Sequence, residues 1–178
     1  MYNEELKKLA ELIKTKTRVE NEIALIIERP ALIQHVGEHI ASKIFDITLN
    51  PSVATESIDG CFNKPPLAGR SVNIKWYGKL ERSLDINLTN PPDYYLVMTG
   101  PESPATSSKG ANRPWVISYV FLFDWNELTT TLQSRGVKIG VTTSLASYMW
   151  DNAKIYPIQR NNKLPLSKSQ IELLSLFK

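Results

Sequence analysis

Two continuous, strongly apolar runs, YYLVM at 94–98 and WVISYVFLF at 115–123 with Ser118 its one small polar residue, constrain the fold more than any other feature of this chain. A strand with one face in water alternates apolar and polar residues, so a run without that alternation must be covered on both faces. The expected architecture is therefore α/β, a mixed central β-sheet flanked by helices.

The rest of the chain can supply those layers. Residues 3–28 carry leucines and isoleucines at mostly helical intervals, and the β-branched patch at Thr15, Thr17 and Val19 predicts a break into two helices. Pro30 suits the first turn of a second helix over 31–46, with Ile33, Val36, Ile40 and Ile44 on one stripe and His35, His39, Ser42 and Asp46 opposite. Glu38 lies between the two, beside Ala41 and Phe45. TLNPSVATES reads as turns, ESIDGCFN as a short strand, KPPLAG as a loop, and SVNIKWYG as a strand that points Asn73 and Lys75 the same way. LDINL at 84–88 and residues 137–141 are further strand candidates. The polar, proline-punctuated stretch from 100 to 114 is a loop expected to be mobile. Asp124 or Asn126 caps a helix through about Arg135, and TSLASYMWDNA and SKSQIELLSLF supply the last helices. No repeat or second boundary appears, so residues 1–178 form a single domain: a helical extension at 1–29, a core at about 31–140, and a C-terminal helical and loop region at 141–178.

Composition sets the outer bounds. At 178 residues, 42% hydrophobic and 22% charged, the chain can bury a substantial core, and its net charge of +3 is too mild to identify a partner. The lone Cys61 excludes an internal disulfide and Cys-rich zinc clusters and fits a reducing cytoplasm. No apolar run approaches the roughly 20 residues that span a bilayer, and MYNEELKK does not resemble a secretory signal. A cytoplasmic protein with no membrane partner is expected.

Two constellations could carry chemistry. In IQHVGEHIASK, His35 and His39 stand one helical turn apart around Glu38, the pattern of an HxxEH zinc peptidase. Such a site needs a third ligand, and Glu102 and Glu127 are arbitrary candidates. The histidines, on the polar face, are expected to be exposed and to bind no catalytic zinc. The second constellation joins Glu38 to Asp59 in SIDGCF and to Asn73 and Lys75 in VNIKW. An acid on one strand, with an amide and a lysine two apart on the next, suits metal-dependent phosphodiester cleavage. A hard cation takes oxygen ligands, here the Asp59 carboxylate and the Asn73 amide carbonyl. Lys75 could position the attacking water or offset charge on phosphorus, and Glu38 could bind metal-ligated water or a second ion.

At these residues, GEHIA (37–41), IDG (58–60) and VNIKW (72–76), the chain resembles the PD-(D/E)XK nuclease superfamily, which includes many restriction endonucleases. The resemblance implies a restriction-endonuclease-like αβββαβ core, with Asp59 as the metal-binding acid, Lys75 as the catalytic lysine, Asn73 at the central D/E position and Glu38 as the helix glutamate of some branches. The implied cofactor is Mg²⁺ or Mn²⁺, as one or two ions. Asn73 departs from the pattern, because an uncharged amide holds a cation more weakly than a carboxylate.

Lys64, Arg70, Lys75, Lys79 and Arg82 face one acid, Glu81, in a stretch that includes Trp76 and Tyr77; Lys154, Arg160, Lys163 and Lys168 form a second basic stretch without acids between 152 and 168. Basic strips with aromatics can follow phosphates, so Lys64, Arg70, Lys79 and Arg82 are the candidate nucleic-acid contacts. The leading expectation is a metal-dependent DNA endonuclease, with restriction type as one form of it, acting on duplex DNA, with homodimerisation suggested by the symmetry of duplex sites. The alternative is a nucleic-acid-binding module with a decayed site; the zinc peptidase stands third.

Overall fold

The computed structural model describes residues 3–51, 57–102 and 113–178. Residues 52–56 of the turn-rich stretch and most of the expected mobile loop, 103–112, lie outside them. The chain is a mixed α/β fold whose main sheet has six strands flanked by helices.

Helix α1 (Glu4–Ile27) is capped by Asn3 and runs unbroken. The expected break is absent; Thr15 and Thr17 donate their hydroxyls to the Glu11 and Ile13 carbonyls one turn back, so the β-branched patch satisfies its polar groups within the helix. Helix α2 (Ile33–Phe45) begins later than Pro30. Leu32 N–H donates to the Pro30 carbonyl at 2.7 Å, and this tight turn reverses the chain before the helix starts.

The main sheet contains β1 (Ile47–Leu49), β2 (Gly60–Phe62), β3 (Ser71–Tyr77), β5 (Tyr94–Thr99), β6 (Tyr119–Asp124) and β8 (Lys154–Tyr156), in the spatial order β1-β2-β3-β5-β6-β8. Its pairs are antiparallel except β3 with β5. A small second sheet joins β4 (Ser83–Leu84) to β7 (Thr143–Ser144). Helices α3 (Trp125–Ser134), α4 (Ser147–Ala153) and α5 (Lys168–Ser175) complete the fold.

Alternation along the strands divides the interior in two. Val72, Ile74, Trp76, Leu96, Met98, Val120 and Leu122 pack towards α2 and α5, whereas Tyr95, Val97, Phe121 and Phe123 pack towards α3 and α4. The sheet portions of both runs, 94–98 and 119–123, thus lie between two layers, the reason they are apolar on both faces.

Several boundaries depart from the sequence reading. The run at 115–123 enters the sheet only at Tyr119, because Ile117 N–H is taken by the Phe177 carbonyl and the Val116 carbonyl by the Trp76 indole. LDINL contributes only Leu84 to a strand, and 137–141 is not a strand; the Gly140 carbonyl instead accepts from Ile86 N–H. The connection from β3 to its parallel neighbour β5 is extended chain carrying β4, anchored by Leu80, Leu84 and Ile86 in the α3 and α4 layer. The core of the resembled superfamily would place a helix there. No described helix is long and apolar enough to cross a membrane.

Candidate active site at the open edge of the third strand

β2 is short, so its ladder stops before β3 does. Asp59 N–H still donates to the Val72 carbonyl at 2.9 Å, and the next donor on that edge, Ile74 N–H, is met by the Asp59 carboxylate at 2.6 Å. The Ile58 carbonyl is drawn away by the Asn50 amide, and Asn73 Nδ2 donates to the Ser57 carbonyl at 3.0 Å. Side chains therefore continue the pairing where backbone pairing ends, and segment 57–59 is held against 73–74.

Asn73 and Lys75 point away from α2, in register with Tyr95 and Val97 of β5. They line a cavity of about 450 Å³ with Ser57, Asp85, Asn87 and Tyr95. Asn73 is only 4% exposed. Its Nδ2 is used by Ser57, and its Oδ1 is buried with no hydrogen-bond partner among the described residues. A buried acceptor without a donor is uncommon and calls for a physical reason. Lys75 makes no hydrogen bond or ion pair with the described residues, while Asp85 accepts from Thr142 N–H at 2.7 Å and Tyr95 accepts from Asn87 N–H at 2.9 Å. Sequence reasoning missed Asp85 and Tyr95. Tyr95 was readable as an inward position of a buried strand, but Asp85 reaches the cavity through a loop path that no periodicity announces.

Across the sheet, Gly37 lets α2 sit directly on β3; a Cβ there would lie 3.0 Å from the Cβ of Trp76. The close approach buries the next residue, Glu38, which the sequence placed at the border of a polar face. A buried carboxylate needs partners. Arg29, just before the chain reversal, donates to Glu38 Oε2, and Gln34 donates to Glu38 Oε1 at 3.1 Å and also to the Ile74 carbonyl. Arg29 and Gln34 were not among the expected site residues, because their role follows from the burial of Glu38 where α2 packs on β3.

Asp59 stands at the rim, where both faces meet. Burial pushes its carboxyl above the usual carboxylate range and the nearby Glu38 adds to the rise, while the Ile74 N–H, Lys75 and Arg29 oppose it. Tyr95 is likewise pushed up by burial, with Asp59 and Asp85 adding to the effect, so its hydroxyl stays protonated and can donate into the cavity.

The histidines take no part in this arrangement. Contrary to expectation both are half-buried: His35 Nδ1 lies 2.9 Å from the Pro30 carbonyl, and burial and Lys43 lower the His39 pKa. Glu38 is bound to Arg29 and Gln34, and the candidate third ligands Glu102 and Glu127 pair with Arg82 and Lys163. Among the described residues, no three His, Cys, Asp or Glu side chains are grouped to hold a metal ion. The oxygen groups around the β3 edge are divided: Asn73 Oδ1, without a partner among the described residues, faces the cavity, Glu38 lies on the α2 side, and Asp59 is held on the Ile74 N–H between them; oxygen ligands of this kind suit a hard cation held weakly.

Of the candidate nucleic-acid contacts, Lys64 pairs with Asp46 at 2.6 Å, Arg70 with Asp93 at 3.1 Å, and Arg82 with Glu102 at 2.5 Å. Lys79 is half-buried. No known protein family matches the chain, and no curated protein does.

Proposed function

We propose that the open edge of β3 is a metal-dependent phosphodiesterase site acting on duplex DNA. The observation that carries this reading is the Asn73 Oδ1: among the described residues it is a buried acceptor without a donor, held in place through its own Nδ2 in a cavity it lines with Lys75, which has no ion pair there, while Asp59 is held on the neighbouring Ile74 N–H. Asp59 and Asn73 would hold Mg²⁺ or Mn²⁺, with Glu38 facing metal-bound water or a second ion. Bound there, the cation would polarise the phosphate and acidify a water.

The chain's own groups do the rest. The Ser57 carbonyl fixes the Asn73 amide, so its oxygen is aimed before any ligand arrives. Lys75, with no competing ion pair among the described residues, can donate to a phosphate oxygen and offset the charge that grows on it. Arg29 and Gln34 hold Glu38 in one orientation. Lys64, Arg70, Lys79 and Arg82 supply phosphate contacts. The ion pairs of Lys64 and Arg70 are largely exposed and screened by water, so exchanging a carboxylate for a phosphate costs little.

Incubation with supercoiled plasmid and short duplexes in Mg²⁺ or Mn²⁺ tests the reading. Cleavage is expected from the wild type and should be lost in Lys75→Ala and Asp59→Ala and on adding a chelator. Cleavage that survives in Lys75→Ala would reject this site.

A second reading has its own support: a module that binds nucleic acid without cutting it. Arg29 already neutralises Glu38, and Gln34 already occupies the Ile74 carbonyl, so two oxygens that could serve a cation have donors. Salt-dependent duplex binding without cleavage in either metal would favour it.

A further inference from the structure

Helix α1 is seated at one end only. Its last turns meet the body through Ile23, Ala24 and Ile27, of which only Ile27 is fully buried. The same stripe continues towards the N-terminus through Leu6, Leu9, Leu12 and Ile13, which are 61%, 50%, 57% and 55% exposed. At 1.5 Å per residue the uncovered part projects roughly 20 Å beyond the seated turns. Four large aliphatics on one face of a projecting helix form an apolar surface that isolated surface residues do not.

The charges that bound this patch indicate what covers it. Glu5 lies at one end of the stripe and Lys16 at the other. We infer that α1 pairs antiparallel with α1 of a second copy of this chain, about a two-fold axis between Ala10 and Glu11. Leu9 then meets the partner's Leu12, Leu6 and Ile13 flank that central pair, and Lys16 closes each end against the partner's Glu5. A parallel pair would set Lys16 against its own copy and Glu5 against its own copy, which opposes that arrangement. Lys16 is held at present by Glu20 in an exposed pair one turn away, a contact weak enough to exchange. Lys7 with Glu4 and Arg18 with Glu22 can remain paired within each helix.

The two-fold arrangement is isologous, so it closes at two copies and needs no other surface. The aliphatic side chains of the two patches together remove on the order of 700 Å² from water, below the roughly 1,200 Å² of standard specific interfaces, so the pair is a weak, concentration-dependent dimer. This inference does not depend on the proposed chemistry.

Sedimentation velocity of the full chain across roughly 1 to 200 µM tests it. The wild type should pass from monomer to dimer, and Leu9→Glu with Leu12→Glu should remain monomeric with an unchanged unfolding transition of the body. Lys16→Glu should weaken association roughly tenfold, and adding Glu5→Lys to it should restore association, because only the antiparallel register makes these positions partners. A wild type that stays monomeric throughout, a dimer that survives the double glutamate substitution, or a charge exchange that fails to restore association would each overturn the inference.

Discussion

Replacing Arg29 with alanine isolates the contact that fixes Glu38. The Glu38 side chain is 9% exposed and that of Arg29 37%. Removing one partner of a fully buried pair costs about 3–5 kcal/mol, because the remaining charge stays desolvated. Here more than a third of the arginine already meets water and Gln34 keeps donating to the stranded carboxylate, so the expected loss is about 2 kcal/mol. In a chain of this size that lowers the melting temperature by roughly 5 °C. Glu38→Gln leaves a cation that can turn into water and should cost under about 1 kcal/mol. The double variant should be about 1 kcal/mol more stable than Arg29→Ala alone, since no charge is left buried. Urea unfolding followed by tryptophan fluorescence reads all three as midpoint shifts at constant slope. Divalent cation at ten times its dissociation constant should restore about 1.4 kcal/mol to Arg29→Ala if the freed carboxylate serves the proposed site. A loss below about 0.5 kcal/mol in Arg29→Ala, or strictly additive single effects, would refute the claim that Arg29 compensates a buried charge.

Asn73→Asp should tighten Mg²⁺ or Mn²⁺ binding by at least about tenfold in calorimetric titration, and should cost about 1–3 kcal/mol of metal-free stability by burying a further charge near Asp59; unchanged affinity both there and in Asp59→Ala would remove the site. Because the folded chain raises the Asp59 pKa, the native state holds that proton more tightly, and stability falls as pH rises from the ordinary carboxylate value through the raised one. Asp59→Asn, which can still accept from Ile74 N–H, should therefore unfold at higher urea than wild type at pH 7 and at equal urea once pH lies below both values; a wild type that is the more stable at pH 7 would contradict the burial cost. Metal affinity of the wild type should rise across the same pH window, as the competing proton leaves. Gly37→Val should cost about 1–3 kcal/mol, because a Cβ there lies 3.0 Å from Trp76, and near-UV circular dichroism should report the displaced indole.

The periodic features were legible in the sequence. Continuous apolar runs specified strands covered on both faces, alternation in VNIKW set Asn73 and Lys75 together, and the stripe of α2 located the helix that covers β3. The Asp124 cap and the helix beginning after Ser167 are local hydrogen-bonding patterns, readable because capping involves only a few neighbouring residues. These signals span enough residues for one favoured periodicity to prevail.

The short and the distant features were decided by tertiary structure. β1 and β8 were not foreseen: each is too short to show a period, and each exists because a neighbouring strand offers unpaired donors and acceptors. Leu84 was one residue of an expected strand and became half of a two-residue pair, because the chain around it is anchored by burial of Leu80 and Ile86. The site shows the same division. The sequence alone could name Asp59, Asn73, Lys75 and Glu38 by type and order, but could not place Arg29 on Glu38, Gln34 on the Ile74 carbonyl, or Asp59 on an open ladder donor. Those contacts arise from the approach that Gly37 permits between α2 and β3 and from the early end of β2. A side chain's propensity is set by its own few neighbours, whereas burial and charge pairing depend on what the rest of the chain brings against it.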